Sequence, residues 1–213
     1  MPPSDVDEAT QKQLSKLRIR GAPAIKPGMP NFVGEYPCRE VQVPAVRALQ
    51  LPWAEGVAPT RPLLQDAFAR LASVARDQKL KPEGDPMWVC LADPYLVEPP
   101  KRAYAALFPF RGAAREDGEI KVSRIDGGFY ITTATDRGLP DLENVYTFLF
   151  GRFLPSKSHV LARPAILHRV LGTRDGTPVD EATMDRDLVV EVWVPAGFEM
   201  KKRDPSVTEG GGT

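Results

Sequence analysis

The stretch DPMWVCLADPYLVEPPKRAYAALFPFR, residues 85–111, carries the strongest structural signal in this chain. It predicts a strand from Met87 to Ala92, a connection stiffened by prolines from Asp93 to Pro100, and a second strand from Arg102 to Phe110. Side chains alternate between the two faces of a strand, and both faces of the second strand are apolar. One face holds Tyr104, Ala106, Phe108 and Phe110, and the other holds Ala103, Ala105 and Leu107. We therefore expect one face to pack under helices, while the aromatic face meets a second half of the sheet or a bound small molecule.

Composition excludes several classes of protein. The chain has 213 residues, 42% of them apolar, which is enough for one large domain or two small ones. Its 28 basic and 28 acidic residues balance, which disfavours direct binding of nucleic acid. No apolar run approaches the roughly 20 residues of a membrane-spanning helix, and the N-terminus has no hydrophobic signal core. Cys38 and Cys90 are most simply free thiols of a cytoplasmic protein, although a single disulfide remains open.

Proline and glycine content divides the chain into three parts. Residues 1–37 contain six prolines and one short helical candidate, Asp7 to Leu17, and we interpret them as an arm lying on the body. Residues 38–198 form the predicted ligand-binding domain. Residues 199–213 are charged and then rich in glycine, which predicts a flexible tail.

The elements of the central part follow a repeated order, strand–helix–strand–strand, which predicts an α+β fold. The first helix begins after Thr60, carries Pro62 in its first turn and reaches about Gln78. The remaining predicted elements are a strand at about 40–53 interrupted at Pro44, the two strands already described, a strand at 127–135 entered through two glycines, a helix at about 141–153, and strands near 165–171 and 188–194.

The last strand, LVVEVWV, separates two kinds of side chain. Its aliphatic face consists of Leu188, Val190, Val192 and Val194 and should pack under the helices. Glu191 and Trp193 lie side by side on the other face. Alternation alone leaves two readings open: either this pair faces a ligand, or Glu191 is exposed to solvent and Trp193 covers a sheet edge.

Three segments together resemble a known family. LADPYLVEPPKRAYAALF (91–108), IDGGFYITTATDRG (125–138) and EVWVPA (191–196) are similar to the GyrI-like small-molecule-binding domain, which is also the effector-binding domain of AraC-type and MerR-type regulators. The resemblance covers about residues 39–196. It implies two strand–helix–strand–strand modules in a pseudo-twofold arrangement that form a concave, aromatic-lined groove for flat hydrophobic or cationic molecules.

The resemblance also implies which residues line the groove. By position these are Trp53, Trp88, Tyr104, Phe108, Phe129 or Tyr130, Tyr146 and Trp193, with Glu191 as a charged neighbour. Many members carry a glutamate in the strand after the second helix, but here RPAILHRVLG places Leu167 and Arg169 at or near the key positions. Cation recognition would then depend on Glu191. His168, also in this strand, is more often a surface or satisfied core residue than a ligand or base.

The predicted function is binding of a small molecule, for sensing or sequestration, without catalysis, cofactor or metal. No nucleophile, zinc or nucleotide motif is present, and residues 1–37 are too few and too rich in proline for a helix-turn-helix module. One alternative is a hydrolase of electrophilic cyclopropane-type toxins that uses Glu191 with Tyr104 or Tyr146. Another is a module that binds a protein partner, as a gyrase inhibitor does. Haem binding is the weakest reading.

Overall fold

The computed structural model describes residues 36–53, 56–177, 179–180 and 183–198 and shows an α+β architecture. All strand pairs recorded in its ten-stranded sheet are antiparallel. The strands are β1 (Cys38–Val43), β2 (Val46–Pro52), β3 (Lys81–Pro82), β4 (Met87–Cys90), β5 (Tyr104–Arg111), β6 (Lys121–Ile125), β7 (Gly128–Thr135), β8 (His159–Leu161), β9 (Ile166–Thr173) and β10 (Leu188–Phe198). The arm helix predicted at 7–17 and the tail at 199–213 lie outside the described residues.

Two helical segments cover the sheet. Helix α1 spans Arg61–Asp77, as predicted, with Thr60 at its N-cap. The Thr60 side chain makes no capping hydrogen bond, so the extended backbone of Thr60 and Pro62 in the first turn mark where the helix starts. Helix α2 spans Leu142–Phe148 and continues through a π-helical turn into α3. The remaining helical pieces are the π-helical turn Leu149–Phe153, α3 (Leu154–Ser156), and 3-10 turns at Pro99–Lys101, Leu139–Asp141 and Asp185–Asp187.

The strand order is β1-β7-β10-β9-β4-β5-β2-β6, with β3 beside β5 and β8 beside β10. With β3, β6 and β8 left aside, the chain order β2, α1, β4 and β5 is followed by β7, α2, β9 and β10. The half β4-β5-β2 meets the half β9-β10-β7 where β4 pairs with β9. We call this pairing the seam.

Two short interruptions, at residues 44–45 between β1 and β2 and at residues 126–127 between β6 and β7, lie opposite each other. We call them the two breaks, and the strand pairing keeps one register across them. Val43 pairs with Gly128 and Val46 pairs with Ile125, so β1 and β2 follow β7 and β6 without a slip. A Cβ atom at Gly127 would lie 2.5 Å from the Ala45 nitrogen, which is why glycine is needed where the two breaks meet. The predicted interruption at Pro44 is therefore a real break. Because it joins β1, at one end of the strand order, to β2, next to the other end, the sheet must curl.

The core has three apolar layers. The α1 layer includes Leu49, Leu71, Phe108 and Phe110, and the α2 layer includes Trp88, Tyr104, Tyr146, Val190 and Val192. The opposite-face layer consists of Ala48, Met87, Val89, Ala105, Leu107, Tyr130 and Leu167. Its members come from β2, β4, β5, β7 and β9, so the sheet curls toward this face, and no helix of the described ranges contributes to this layer.

Several expectations from the sequence are corrected. The aromatic face of β5 was expected to meet a second half of the sheet or a ligand. Instead, Phe108 and Phe110 of this face pack under α1. The strand predicted from Met87 to Ala92 ends at Cys90, and the strand predicted near 188–194 extends to Phe198. Strands β3, β6 and β8 were not predicted, because each is short and lacks the alternating pattern of a half-buried strand. The two cysteines are free thiols, as expected.

Candidate functional site

The most unusual group of side chains lies on the helix side of the seam. Trp88 in β4 is paired with His168 in β9, and both residues have no exposed surface. Their rings stack with centroids 4.9 Å apart and an angle of 15° between the planes. The Trp88 Nε1 and His168 Nδ1 atoms have no hydrogen-bond partner among the described residues. Two buried polar atoms without partners in one ring stack are uncommon in a folded protein.

Helix α2 completes this group with Tyr146. The Tyr146 hydroxyl and the His168 Nε2 atom are 2.6 Å apart, and both groups are buried. Burial lowers the pKa of His168 from 6.5 to about 3, and the main chain of Trp88 opposes this shift in part. Burial likewise raises the pKa of Tyr146 well above 10. Both side chains are therefore neutral near pH 7.

The aromatic surface continues outward from the seam. Tyr104 is buried in the same α2 layer, and Trp53 stacks on it with ring centroids 5.9 Å apart and an interplanar angle of 15°. Trp53 is only partly buried and packs against both the α1 and the α2 layers. We call Trp53, Trp88, Tyr104, Tyr146 and His168 the seam cluster. Its outer member reaches the surface, and its inner members do not.

A buried cation borders the seam cluster. Arg102 is only 2% exposed, and its guanidinium carbon lies 5.5 Å from the centre of the Tyr146 ring. Two of its nitrogens bind the Glu143 carboxylate of α2, Nη1 to Oε1 and Nη2 to Oε2, the latter at 3.0 Å. Arg102 also donates to the Val97 oxygen at 2.8 Å and to the Pro94 oxygen at 2.6 Å. The proline-rich connection predicted at 93–100 is thus fixed to α2 through one arginine.

Glu191 and Trp193 lie on the other side of the sheet. The Glu191 Oε2 atom accepts hydrogen bonds from Arg169 Nη2 at 2.7 Å and from Trp193 Nε1 at 2.6 Å. Arg169 also reaches Asp85, and its guanidinium lies 5.7 Å from the Trp193 ring centre. Of the two readings left open for Glu191, the structure supports neither fully, because this carboxylate is half-buried and already paired.

A shallow depression marks the same opposite face. Its cavity volume is about 80 Å³, and its lining includes Val89, Leu107, Tyr130, Arg163 and Leu167. Arg163 donates to the Tyr130 hydroxyl and to the Asp126 oxygen, which closes one side. Pockets that enclose a drug-sized molecule measure roughly 300–1,000 Å³, so this depression is too small for a flat polycyclic ligand as it stands.

The predicted groove residues do not share one surface. The structure brings Trp53, Trp88, Tyr104 and Tyr146 together in the seam cluster. The others lie elsewhere: Phe108 in the α1 layer, Phe129 beside His159 and Phe198, and Tyr130, Glu191 and Trp193 on the opposite face. The hydrolase set of Glu191 with Tyr104 or Tyr146 is therefore separated by the sheet.

Sequence reasoning did not predict that His168 belongs to the seam cluster or that Arg102 borders it. His168 lies on the same face as Ile166 and Val170, and this alternation with apolar residues indicated a buried position. Arg102 gave no such signal, because its burial depends on a distant partner, Glu143. Leu167 and Arg169, which were aligned with the glutamate position of the resembling family, point to the opposite face.

Comparison by sequence finds no matching protein-family model and no matching curated protein. Comparison by structure does find similar chains. The crystal structure of the EcmrR C-terminal domain matches with a TM-score of 0.59 and 10% identity, over 77% of this chain and 99% of that chain. The fold is that of the EcmrR C-terminal domain. The resemblance to a GyrI-like domain is thereby confirmed at the level of the fold.

Two further structures support this assignment of the fold. A hydrolase from Listeria innocua matches with a TM-score of 0.53 and 8% identity, over 75% of this chain and 91% of that chain. An EcmrR chain in complex with DNA matches with a TM-score of 0.60 and 10% identity, over 77% of this chain. This chain spans 58% of the length of that DNA-bound chain.

The described residues offer neither a membrane-spanning helix nor a cluster of metal ligands. None of the helices in the described ranges is long and apolar enough to cross a membrane. Within the same ranges, no group of three or more histidine, cysteine, aspartate or glutamate side chains is arranged to hold a metal ion.

Proposed function

We propose that this protein binds a flat, largely hydrophobic small molecule at the seam cluster, as a sensing or sequestering protein. The observation that carries the proposal is that two aromatic stacks, the partly exposed Trp53 on Tyr104 and the buried Trp88 on His168, belong to the same α2 layer through Tyr104 and Trp88. Aromatic faces bind flat ligands by stacking. The fold shared with the EcmrR C-terminal domain supports ligand binding in general terms.

The arrangement of the two halves supports the same location. We propose that the two strand–helix–strand–strand modules are related by a pseudo-twofold axis through the seam. In each half the first strand pairs with the third, giving β4-β5-β2 on one side and β9-β10-β7 on the other. A site on such an axis receives side chains from both halves, as the seam cluster does with Trp88 and His168.

Substitution of Trp53 tests this proposal. Probes are acridone, anthracene and N-methylacridinium, three flat tricyclic compounds, and binding is measured by thermal shift and fluorescence titration. A ligand at 100 times its dissociation constant should stabilise the protein by about 2.7 kcal/mol. We expect Trp53→Ala to weaken binding about tenfold, because a stacking face is lost, and to leave a cooperative melting transition, because Trp53 is only partly buried.

The matched control is Trp193→Ala, which removes the indole on the opposite face. We expect it to leave the affinity of the same probe unchanged, as should Glu191→Gln. If Trp193→Ala weakens binding and Trp53→Ala does not, the ligand site lies on the opposite face and the proposal is wrong.

A hydrolase is the second candidate, favoured by the 2.6 Å contact between Tyr146 and His168. A neutral histidine with a hydrogen-bonded phenol can move a proton during attack by water on an electrophile. The similar fold of a hydrolase from Listeria innocua agrees with this candidate. Turnover of an electrophilic compound beyond one equivalent of protein would establish hydrolysis, whereas a stoichiometric end point would leave binding alone.

A further inference from the structure

The three tryptophans of the chain differ in the state of their indole N–H groups. Trp53 Nε1 donates to the Val57 oxygen at 3.0 Å, and Trp193 Nε1 donates to Glu191 at 2.6 Å. Trp88 Nε1 has no acceptor anywhere in the described part of the chain, although the residue is fully buried. Leaving a buried donor unpaired is unfavourable, so an acceptor supplied from outside would be bound favourably.

His168 presents a second donor in the same stack. The buried Tyr146 hydroxyl has only His168 Nε2 as an acceptor within the described ranges, and so it donates to that nitrogen. In a neutral imidazole the other nitrogen then carries the proton. His168 Nδ1 is therefore an N–H group, and it makes no hydrogen bond of normal geometry with the described residues, although the Trp88 main chain is close enough to raise the pKa of the ring slightly. Both polar groups of the stack thus offer hydrogens rather than lone pairs.

The charges around the seam cluster disfavour a cation. Arg102 borders the cluster, with its guanidinium carbon 5.5 Å from the Tyr146 ring centre. The Glu143 carboxylate is bound by two nitrogens of Arg102. Glu191 lies across the sheet and is paired with Arg169. Among the described residues, no unpaired carboxylate contacts the cluster, so a ligand cation would find no free counter-ion there.

We propose that the seam cluster selects a neutral flat molecule that carries a hydrogen-bond acceptor, such as a carbonyl oxygen, and that the Trp88 indole N–H binds this acceptor. The inference rests on the proposed function, because it concerns the ligand of the same site. It departs from the cationic ligands that the resemblance implies, since the Glu143 carboxylate beside this site is already paired with Arg102 and the ring stack offers hydrogen-bond donors.

The three tricyclic probes separate the two chemical features. Acridone is neutral and carries a carbonyl acceptor, anthracene is neutral and carries none, and N-methylacridinium is a cation of the same shape. We expect acridone to bind about five- to tenfold more tightly than anthracene, the effect of one hydrogen bond to a buried donor. N-methylacridinium should bind most weakly of the three.

Trp88→Phe keeps an aromatic ring and removes the N–H group. In this variant acridone and anthracene should bind equally, whereas Trp193→Phe, the matched loss of an indole N–H on the opposite face, should preserve the difference. Indole N–H resonances of ¹⁵N-tryptophan-labelled wild-type protein provide a second readout that does not depend on the folding of the variant. Acridone should move the Trp88 resonance downfield and leave the Trp193 resonance in place.

Two results would overturn the inference while leaving the proposed function intact. One is that N-methylacridinium binds as tightly as acridone or more tightly. The other is that acridone binds without moving the Trp88 indole resonance. If none of the three probes binds, the proposed function fails and the inference fails with it.

Discussion

His168 shows how a single residue can depend on its surroundings for its charge. Its ring is stacked on Trp88, bonded to Tyr146 and closed off from water, and burial holds its pKa at about 3. Arg102 acts in the same direction, because a nearby positive charge disfavours protonation of the ring. His168, which the sequence suggested to be a surface or satisfied core residue, therefore has a pKa far below that of a free histidine.

The low pKa of His168 predicts a pH-dependent stability. Between about pH 6.5 and pH 3 the unfolded chain holds a proton on this ring that the folded protein excludes. The free energy of unfolding should therefore fall as the pH drops through this window, by up to about 1.4 kcal/mol per pH unit from this group. His168→Gln should remove this part of the slope, as measured by urea denaturation in steps from neutral pH downward. Equal slopes for the wild type and the variant would show that His168 titrates normally.

At the scale of the elements, the break between β1 and β2 places the two halves of the sheet. Gly127 lies against the backbone of this break, and a Cβ atom there would be 2.5 Å from the Ala45 nitrogen and 2.8 Å from the Val43 oxygen. Backbone atoms held by strand pairing on both sides have little freedom to move away. Tolerance of a single methyl group therefore measures how tightly the two breaks are packed.

Gly127→Ala should lower the free energy of unfolding by about 1–3 kcal/mol, the usual cost of inserting a methyl group into a fully packed region. Gly197→Ala is the matched control, because its added Cβ would meet the nearest atom, the Ala162 Cβ, at an ordinary 3.7 Å. Chemical denaturation of both variants makes the comparison. A Gly127→Ala variant as stable as Gly197→Ala would mean that the two breaks are less tightly packed than the structure indicates.

Elements with a strong periodic pattern could be predicted from the sequence, and those defined by a partner could not. Helix α1 and strands β5 and β10 were predicted near their true positions because burial imposes an alternation on their residues. Strand β6 has a partly exposed pattern and exists because β2 lies beside it. The same contrast between pattern and partner applies to the candidate site. Alternation indicates the face of Trp88 or His168, but only the pairing of β4 with β9 brings the two rings together.

At the scale of the molecule, the described structure begins with a buried residue. Tyr36 donates a hydrogen bond from its hydroxyl to the buried Asp141 Oδ2 atom at 2.8 Å and packs in the α2 layer. Thr135 binds the same carboxylate oxygen at 2.6 Å. Position 36 therefore already packs with the folded body, two residues before the start that proline content predicted for the domain at residue 38.

Removing residues 1–30 should leave a folded protein with one cooperative melting transition, because the truncated chain retains Tyr36 and every strand of the described sheet. Differential scanning calorimetry of the truncated and full-length chains is the measurement. As a control, Tyr36→Phe in the full-length chain should lower stability, because it leaves the buried Asp141 with one donor fewer. Loss of the cooperative transition on truncation would show that the arm is integral to the domain.

The shared register of β1 and β2 with β7 and β6 has a consequence for biosynthesis. Cys38 pairs with Thr133 and Gln50 pairs with Lys121, so the first strands to be synthesised must wait for partners made much later. Closing such long loops precedes any gain from pairing, which slows folding of sheets with distant partners. A nascent chain that ends before residue 121 would present β1 without its partner β7, and β2 with one edge unpaired. We therefore expect ribosome-bound chains of this protein to remain protease-sensitive until both halves have emerged, and then to become resistant in one step.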